Sequence, residues 1–252
     1  NELPNWLKRK SKKPVIFFVD TFNKFYDPEN VRSAINVLKL FGFDPFLPII
    51  QNENLCCGRT FLSCGIIDKA KSEAQKIIKT FYPFLKKGIP VVGIEPSCIL
   101  TFRDEIPLLI NNEGSNLLKA NSFTFEELLQ KEIKKVKFKK PNEKVLLHGH
   151  CHQKAFDAME PIKNILNHVP GLKYETIETS CCGMAGSFGY KKDTYEVSMK
   201  MAKDRLIPSI LKEQEDIIVI ADGTSCRTQI KDGTGKKAIH LARYLENLII
   251  KE

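Results

Sequence analysis

Short apolar runs alternate with longer amphipathic stretches along this chain. The runs lie near Pro45 to Ile50, Val91 to Ile94, Val145 to Leu147 and Ile217 to Ile220. Each is brief and continuous, as expected of a strand buried on both faces. Between them, Val31 to Phe41, Ala70 to Leu85, Ala155 to Leu166 and Tyr195 to Leu211 space their apolar residues as amphipathic helices do. Strands alternating with helices predict parallel sheet with helices on its faces and right-handed crossovers.

The pattern occurs twice. Val15 to Lys24 lies over Val145 to Lys154 at a shift of 130 residues, an apolar strand running into a polar turn in both places. Cys56-Cys57-Gly58 then overlies Cys181-Cys182-Gly183, and Val91 to Ile94 overlies Ile217 to Ile220 just before Ser97-Cys98 and Ser225-Cys226. The expected fold is therefore α/β: two tandem, pseudo-repeated βαβαβ layers, each a parallel sheet flanked by helices. The lysine-rich stretch Lys134 to Lys144, with Pro141, is the expected linker, dividing the chain into residues 1–140 and 141–252.

Composition narrows the class without changing the fold. At 252 residues, 42% hydrophobic and 27% charged, the chain has enough apolar material for a sizeable core. No apolar run approaches the ~20 residues that span a bilayer. The chain opens on Asn1, with no basic-then-apolar leader, which predicts a domain cut from a longer, non-secreted polypeptide. The net charge of +9 comes from dispersed lysines, densest at Lys8-Arg9-Lys10 with Lys12-Lys13, at Lys134-Lys135 with Lys137, Lys139 and Lys140, and at Lys236-Lys237. Aromatic residues do not interleave with them, so no nucleic-acid partner is expected. Solvated surface, or docking to an acidic partner or anionic membrane face, fits better.

Eight cysteines carry the candidate chemistry. A chain of this size does not need disulfide staples, and adjacent cysteines rarely bridge each other. The topology places Cys151, Cys181, Cys182 and Cys226 after three successive strands of the second half, where α/β sheets build their sites. Four thiolates select an iron–sulfur cluster, zinc or copper(I). Gly183 would let backbone approach a bulky group closely. The first half offers Cys56, Cys57 and Cys98, with Thr21 standing where the second has Cys151. Asp20 or Cys64 is the candidate fourth ligand there, although Cys64 reads as a small buried or half-buried thiol. If the strand runs on through His150 and His152, both point away from Cys151. From there they would bond cluster sulfur or bind an acidic group. Glu95, Arg103, Lys154 and Arg227 sit beside the cysteines in sequence and are candidates to set the local charge.

These residues resemble a known family. Asp20-Thr21-Phe22, Cys56-Cys57-Gly58-Arg59, Glu95-Pro96-Ser97-Cys98, His150-Cys151-His152-Gln153-Lys154-Ala155, Cys181 to Gly189 and Gly223-Thr224-Ser225-Cys226-Arg227 are similar to the cysteine-rich CCG repeat. That repeat occurs in heterodisulfide reductases and in the iron–sulfur subunits of glycolate, lactate and anaerobic glycerol-3-phosphate dehydrogenases. The nearest likeness is to the C-terminal Fe–S part of long FAD-linked oxidases, over about Val15 to Tyr244. The chain departs from the family pattern where Thr101 and Gln229 stand in place of the final Cys of each CxxC.

The resemblance implies an electron-transfer module of a FAD-linked oxidoreductase that oxidises a 2-hydroxyacid-type substrate and passes electrons to a quinone, a carrier or a disulfide. It implies a [4Fe-4S] cluster at Cys151, Cys181, Cys182 and Cys226. It leaves zinc or nothing at Cys56, Cys57 and Cys98. FAD would be carried by a partner flavoprotein, as a domain or a separate chain, and a ferredoxin-type Fe–S domain would accompany it. A cytoplasmic location follows, with peripheral contact at the inner membrane face. The rival readings are a thiol–disulfide reductase of the heterodisulfide type, and a zinc-stabilised or metal-free interaction module.

Overall fold

The computed structural model describes residues 13–48, 54–213 and 217–250. The chain divides into two compact units, Asn1–Lys135 and Val136–Glu252. Each holds one four-stranded, all-parallel sheet flanked by helices.

The first unit contains β1 (Lys13–Phe18), β2 (Phe43–Phe46), β3 (Val91–Gly93) and β4 (Ser122–Thr124), in the spatial order β2-β1-β3-β4. Val15 to Phe18 of β1 are buried, as are all three residues of β3. Such continuous apolar runs belong to strands covered on both faces. Helices Pro28–Leu40 and Ile67–Leu85 turn Ala34, Val37 and Leu38, and Ala70, Ala74, Ile77, Ile78 and Phe81, inward. Pro28 begins its helix where the missing N–H costs nothing.

The second unit repeats the plan with β5 (Lys144–Leu147), β6 (Lys173–Thr176), β7 (Ile217–Ile220) and β8 (Ala238–Ile239), ordered β6-β5-β7-β8. The two strand orders correspond position by position, as the internal repeat requires. Phe138, from the lysine-rich stretch, bridges to Ile249 and so belongs with this unit.

Several elements differ from expectation. Each sheet gains a fourth strand, β4 and β8, only three and two residues long. Strand β2 starts at Phe43 rather than Pro45, and Ile49 and Ile50 lie outside the described residues. So do Lys8, Arg9, Lys10 and Lys12. The stretch from Ala155 to Leu166 is two helices, Cys151–Ala155 and Met159–His168, parted where Asp157 adopts φ +54°. Likewise Tyr195 to Leu211 divides into Lys192–Asp204 and Leu206–Leu211.

Candidate metal centre

In each unit the cysteines lie on the segments that leave the carboxyl ends of the strands. In the second unit, β5 runs into helix Cys151–Ala155, β6 into the Cys181-Cys182-Gly183 loop, and β7 into helix Thr224–Thr234, which carries Cys226 in its first turn. Helix N-termini favour negative charge, which suits thiolates.

All eight cysteines are free thiols. The structure brings the four of the second unit together. Cys151 hydrogen-bonds Cys181, Cys181 bonds Cys182, and Cys182 bonds Cys226. Bonds received from its neighbours Cys151 and Cys182 hold the Cys181 thiol far below its ordinary range. Cys226 is lowered in the same way by Cys182, with His148 and His150 close by. Cys151 and Cys182, which donate those bonds, are raised by that pairing and by burial. The four sulfurs thus lie within reach of one another, and a cation binding there would displace their protons.

Around the sulfurs stand four basic side chains. His150 caps the cysteine helix, accepting from His152 N–H at 3.1 Å, while its own N–H bonds Gln153 Oε1 at 3.0 Å. This overturns the expectation that a strand continues through these residues. The helix begins at Cys151, so alternation no longer applies, and both imidazoles flank the thiol instead. Cys151 Sγ lies 3.9 Å from His150 Nδ1 and 3.5 Å from His152 Nδ1, and the two rings are 5.1 Å apart. Lys154 hydrogen-bonds Thr179, and burial lowers its pKa despite the neighbouring thiols. His148 was missed by the sequence reading. It is buried, and one of its ring nitrogens and the sulfurs of Cys182 and Cys226 lie within 4.8 Å of one another. Its signal was a polar residue directly ending an apolar strand.

Gly183 has a structural reason of its own. Its φ is +88°, and its N–H bonds Cys181 Sγ at 3.3 Å. Arg227 acts on backbone, donating from Nη1 to Ala221 O at 3.2 Å and Asp222 O at 2.5 Å, and so clamps the end of β7 to the next helix. Gln229, at the absent final cysteine, donates to Ser198.

The first unit builds a poorer copy. Cys57 Sγ lies 3.2 Å from Cys98 Sγ, and Gly58 N–H bonds Cys56 Sγ at 3.5 Å with φ +81°. Thr21 hydrogen-bonds Cys56, as Cys151 does Cys181. Asp20 takes the place of His150, capping its helix through Phe22 N–H and Asn23 N–H at 3.0 Å. Burial, and then the nearby Glu95, push Asp20 up to about 6. Cys98 receives a bond from Cys57, but burial with Asp20 and Glu95 nearby carries it up to about 11. Carboxylates thus surround these thiols where basic groups surround the others. Thr101, at the other absent cysteine, accepts from Arg59 Nε at 3.2 Å. Arg103 pairs with Glu127 at 2.7 Å. Cys64 is exposed, not buried, because it ends the short helix Arg59–Ser63.

Residues 145–231 match the family described as CCG, a cysteine-rich domain. The matched segment contains the whole four-cysteine set. The chain as a whole is 28% identical to a subunit of the anaerobic glycerol-3-phosphate dehydrogenase of Escherichia coli, over 91% of the chain and 57% of that protein. It is 28% identical to the D-2-hydroxyglutarate dehydrogenase of the same organism, over 88% of the chain and 22% of that protein. It is 24% identical to the lactate utilization protein A of Bacillus subtilis, over 92% of the chain and 99% of that protein. The chain thus spans little more than half of the first of these relatives and under a quarter of the second.

Proposed function

We propose that this chain is the iron–sulfur electron-transfer module of a flavin-linked dehydrogenase acting on a small hydroxylated acid or its phosphorylated kin. The carrying observation is the convergence of Cys151, Cys181, Cys182 and Cys226 in one hydrogen-bonded group at the strand ends of the CCG domain. The donor set fits a [4Fe-4S] cluster: four thiols, two of them already inclined to ionise, with a helix N-terminus behind Cys226. Bound there, the cluster would supply one-electron storage. The protein would hold it through the four sulfurs and balance its charge with His148, His150, His152 and Lys154.

That two relatives are a dehydrogenase subunit and a much longer dehydrogenase chain fits a separate partner or domain that oxidises the substrate, here a flavoprotein. A ferredoxin-type segment would carry electrons between the two. FAD would sit on that partner. No described helix is long and apolar enough to cross a membrane, so contact with a membrane face would be peripheral, through lysines. For the first unit, three thiols with two buried carboxyls suit a single dication such as zinc better than a cluster.

Anaerobic reconstitution with iron and sulfide tests the assignment. Wild type is expected to take up about four irons per chain and to give an EPR signal on reduction. Cys226→Ser is expected to lose both, and Cys64→Ser to lose neither. Wild-type protein that retains zinc alone would refute the cluster.

A further inference from the structure

His148 is 1% exposed and follows directly on β5, its N–H bonding Ile220 O at 2.8 Å. Its Nδ1 lies 3.4 Å from Thr179 Oγ1, and that oxygen accepts from Lys154 Nζ at 3.1 Å. Its Nε2 is buried and makes no hydrogen bond of ordinary geometry among the described residues, although Cys226 is near enough to be lowered by the ring as a donor. The sulfurs of Cys182 and Cys226 are the soft acceptors beside the ring.

The protons can be assigned from this chain of contacts. An ammonium only donates, so Lys154 occupies one of the two lone pairs of Thr179, and the hydroxyl proton stays available to the ring. Nδ1 then accepts, and the neutral imidazole carries its own proton on Nε2. The opposite tautomer would turn a bare lone pair toward two electron-rich sulfurs and deny Thr179 the ring as acceptor. A buried N–H left unmade is costly, so this one calls for an acceptor when the site is filled.

We infer that His148 donates a hydrogen bond from Nε2 to a sulfur of the cluster held by the four cysteines, and that it raises the cluster's reduction potential. This rests on the cluster reading above. Reduction adds one electron and makes every sulfur more negative. A fixed N–H dipole stabilises the more negative state more, so the donor favours the reduced form. His148 is therefore a positioning and tuning residue rather than a ligand. In the first unit the repeat places Phe18 at the equivalent position, with its ring packed 4.9 Å from that of Phe102. A phenyl group is thus compatible with this architecture and donates nothing.

The test compares wild type, His148→Phe and His148→Gln after anaerobic reconstitution, each titrated with dithionite and followed by EPR. Wild type and His148→Gln, which keeps an N–H donor, are expected to share one potential, and His148→Phe is expected to titrate lower. An unchanged potential in a fully iron-loaded His148→Phe protein would overturn the inference and leave the cluster reading intact. So would a directly bonded nitrogen in the pulsed EPR spectrum of wild type. If His148→Phe takes up no iron, His148→Gln decides: the wild-type potential supports the donor, and a lowered one overturns it. Wild type without iron would overturn both readings.

Discussion

A Cβ placed on Gly183 would stand 2.3 Å from the carbonyl oxygen of Ser198, in the middle of helix Lys192–Asp204. That oxygen belongs to backbone and cannot swing aside. The same residue holds φ +88° and sends its N–H to Cys181 Sγ. The glycine of this triplet is therefore fixed by two demands at once, its dihedral and its packing, while the bond to sulfur holds the turn in place.

Gly183→Ala is accordingly expected to be costly. The left-handed conformation alone costs a side chain about 1–2 kcal/mol, and the clash adds to it. Gly58→Ala is the internal control, because its Cβ would meet Ala70 O at 3.3 Å, a contact that a small shift relieves. Urea unfolding of the metal-free protein should show Gly183→Ala losing at least about 3 kcal/mol and Gly58→Ala about 1–2. Equal losses would mean that the Ser198 contact carries no weight.

The first unit invites the reverse experiment. Thr21 touches Cys56 as Cys151 touches Cys181, so Thr21→Cys completes a four-thiol set in place. Made together with Cys226→Ser, which removes the competing site, it is expected to tighten zinc binding. The gain should be at least the ~10–100-fold that even an outer partner of a metal is worth. Competition against a chromophoric chelator measures it. Affinity equal to that of Cys226→Ser alone would show that Asp20 and Glu95, not a missing thiol, decide what the first unit binds.

The site and the fold were legible to different depths. Strands β1, β3, β5 and β7 declare themselves because burial on both faces leaves continuous apolar runs. Edge strand β6 alternates Lys173, Tyr174, Glu175 and Thr176 between exposed and half-buried positions, too briefly to stand out. β4 and β8 are shorter still, held by pairing to β3 and β7 rather than by their own composition. The cysteines could be grouped because the repeat and the strand-end rule suffice for that. His148 could not, because its burial and its contact with Thr179, distant in sequence, are made only by the fold. His150 and His152 were misplaced by assuming strand geometry where His150 begins a helix by capping it.

Asp20 makes the stability of the metal-free protein depend on pH. Its folded pKa is raised from 3.8 to about 6, chiefly by burial and then by Glu95. The folded state therefore holds this proton more tightly than the unfolded chain does. The stabilisation is complete below the unfolded value and declines as pH rises through about 6, by up to about 3 kcal/mol. Asp20→Asn cannot titrate and still offers an oxygen to cap Phe22 and Asn23. Its unfolding free energy is expected to be flatter than that of wild type between pH 4 and pH 6. Parallel curves for the two proteins would exclude Asp20 as the source.

Behind the four cysteines, Asp222 joins three elements. Its Oδ2 accepts from Gln153 Nε2 at 3.1 Å, and Gln153 in turn secures the His150 N–H at the start of the cysteine helix. Its Oδ1 accepts from Leu241 N–H at 3.0 Å and lies 3.5 Å from His240 Nε2, with both side chains almost wholly buried. Removing the carboxyl leaves these donors unmade in the core, a loss of about 3–5 kcal/mol. Asp222→Ala is thus expected to lower the urea midpoint sharply, whereas Asp222→Asn, which keeps one acceptor oxygen, should fall between it and wild type. Because Gln153 would lose its anchor, Asp222→Ala should also loosen the Cys151 helix, seen as faster amide exchange at His152 and Gln153. Exchange unchanged there, with stability lost, would confine Asp222 to holding the last helix in place.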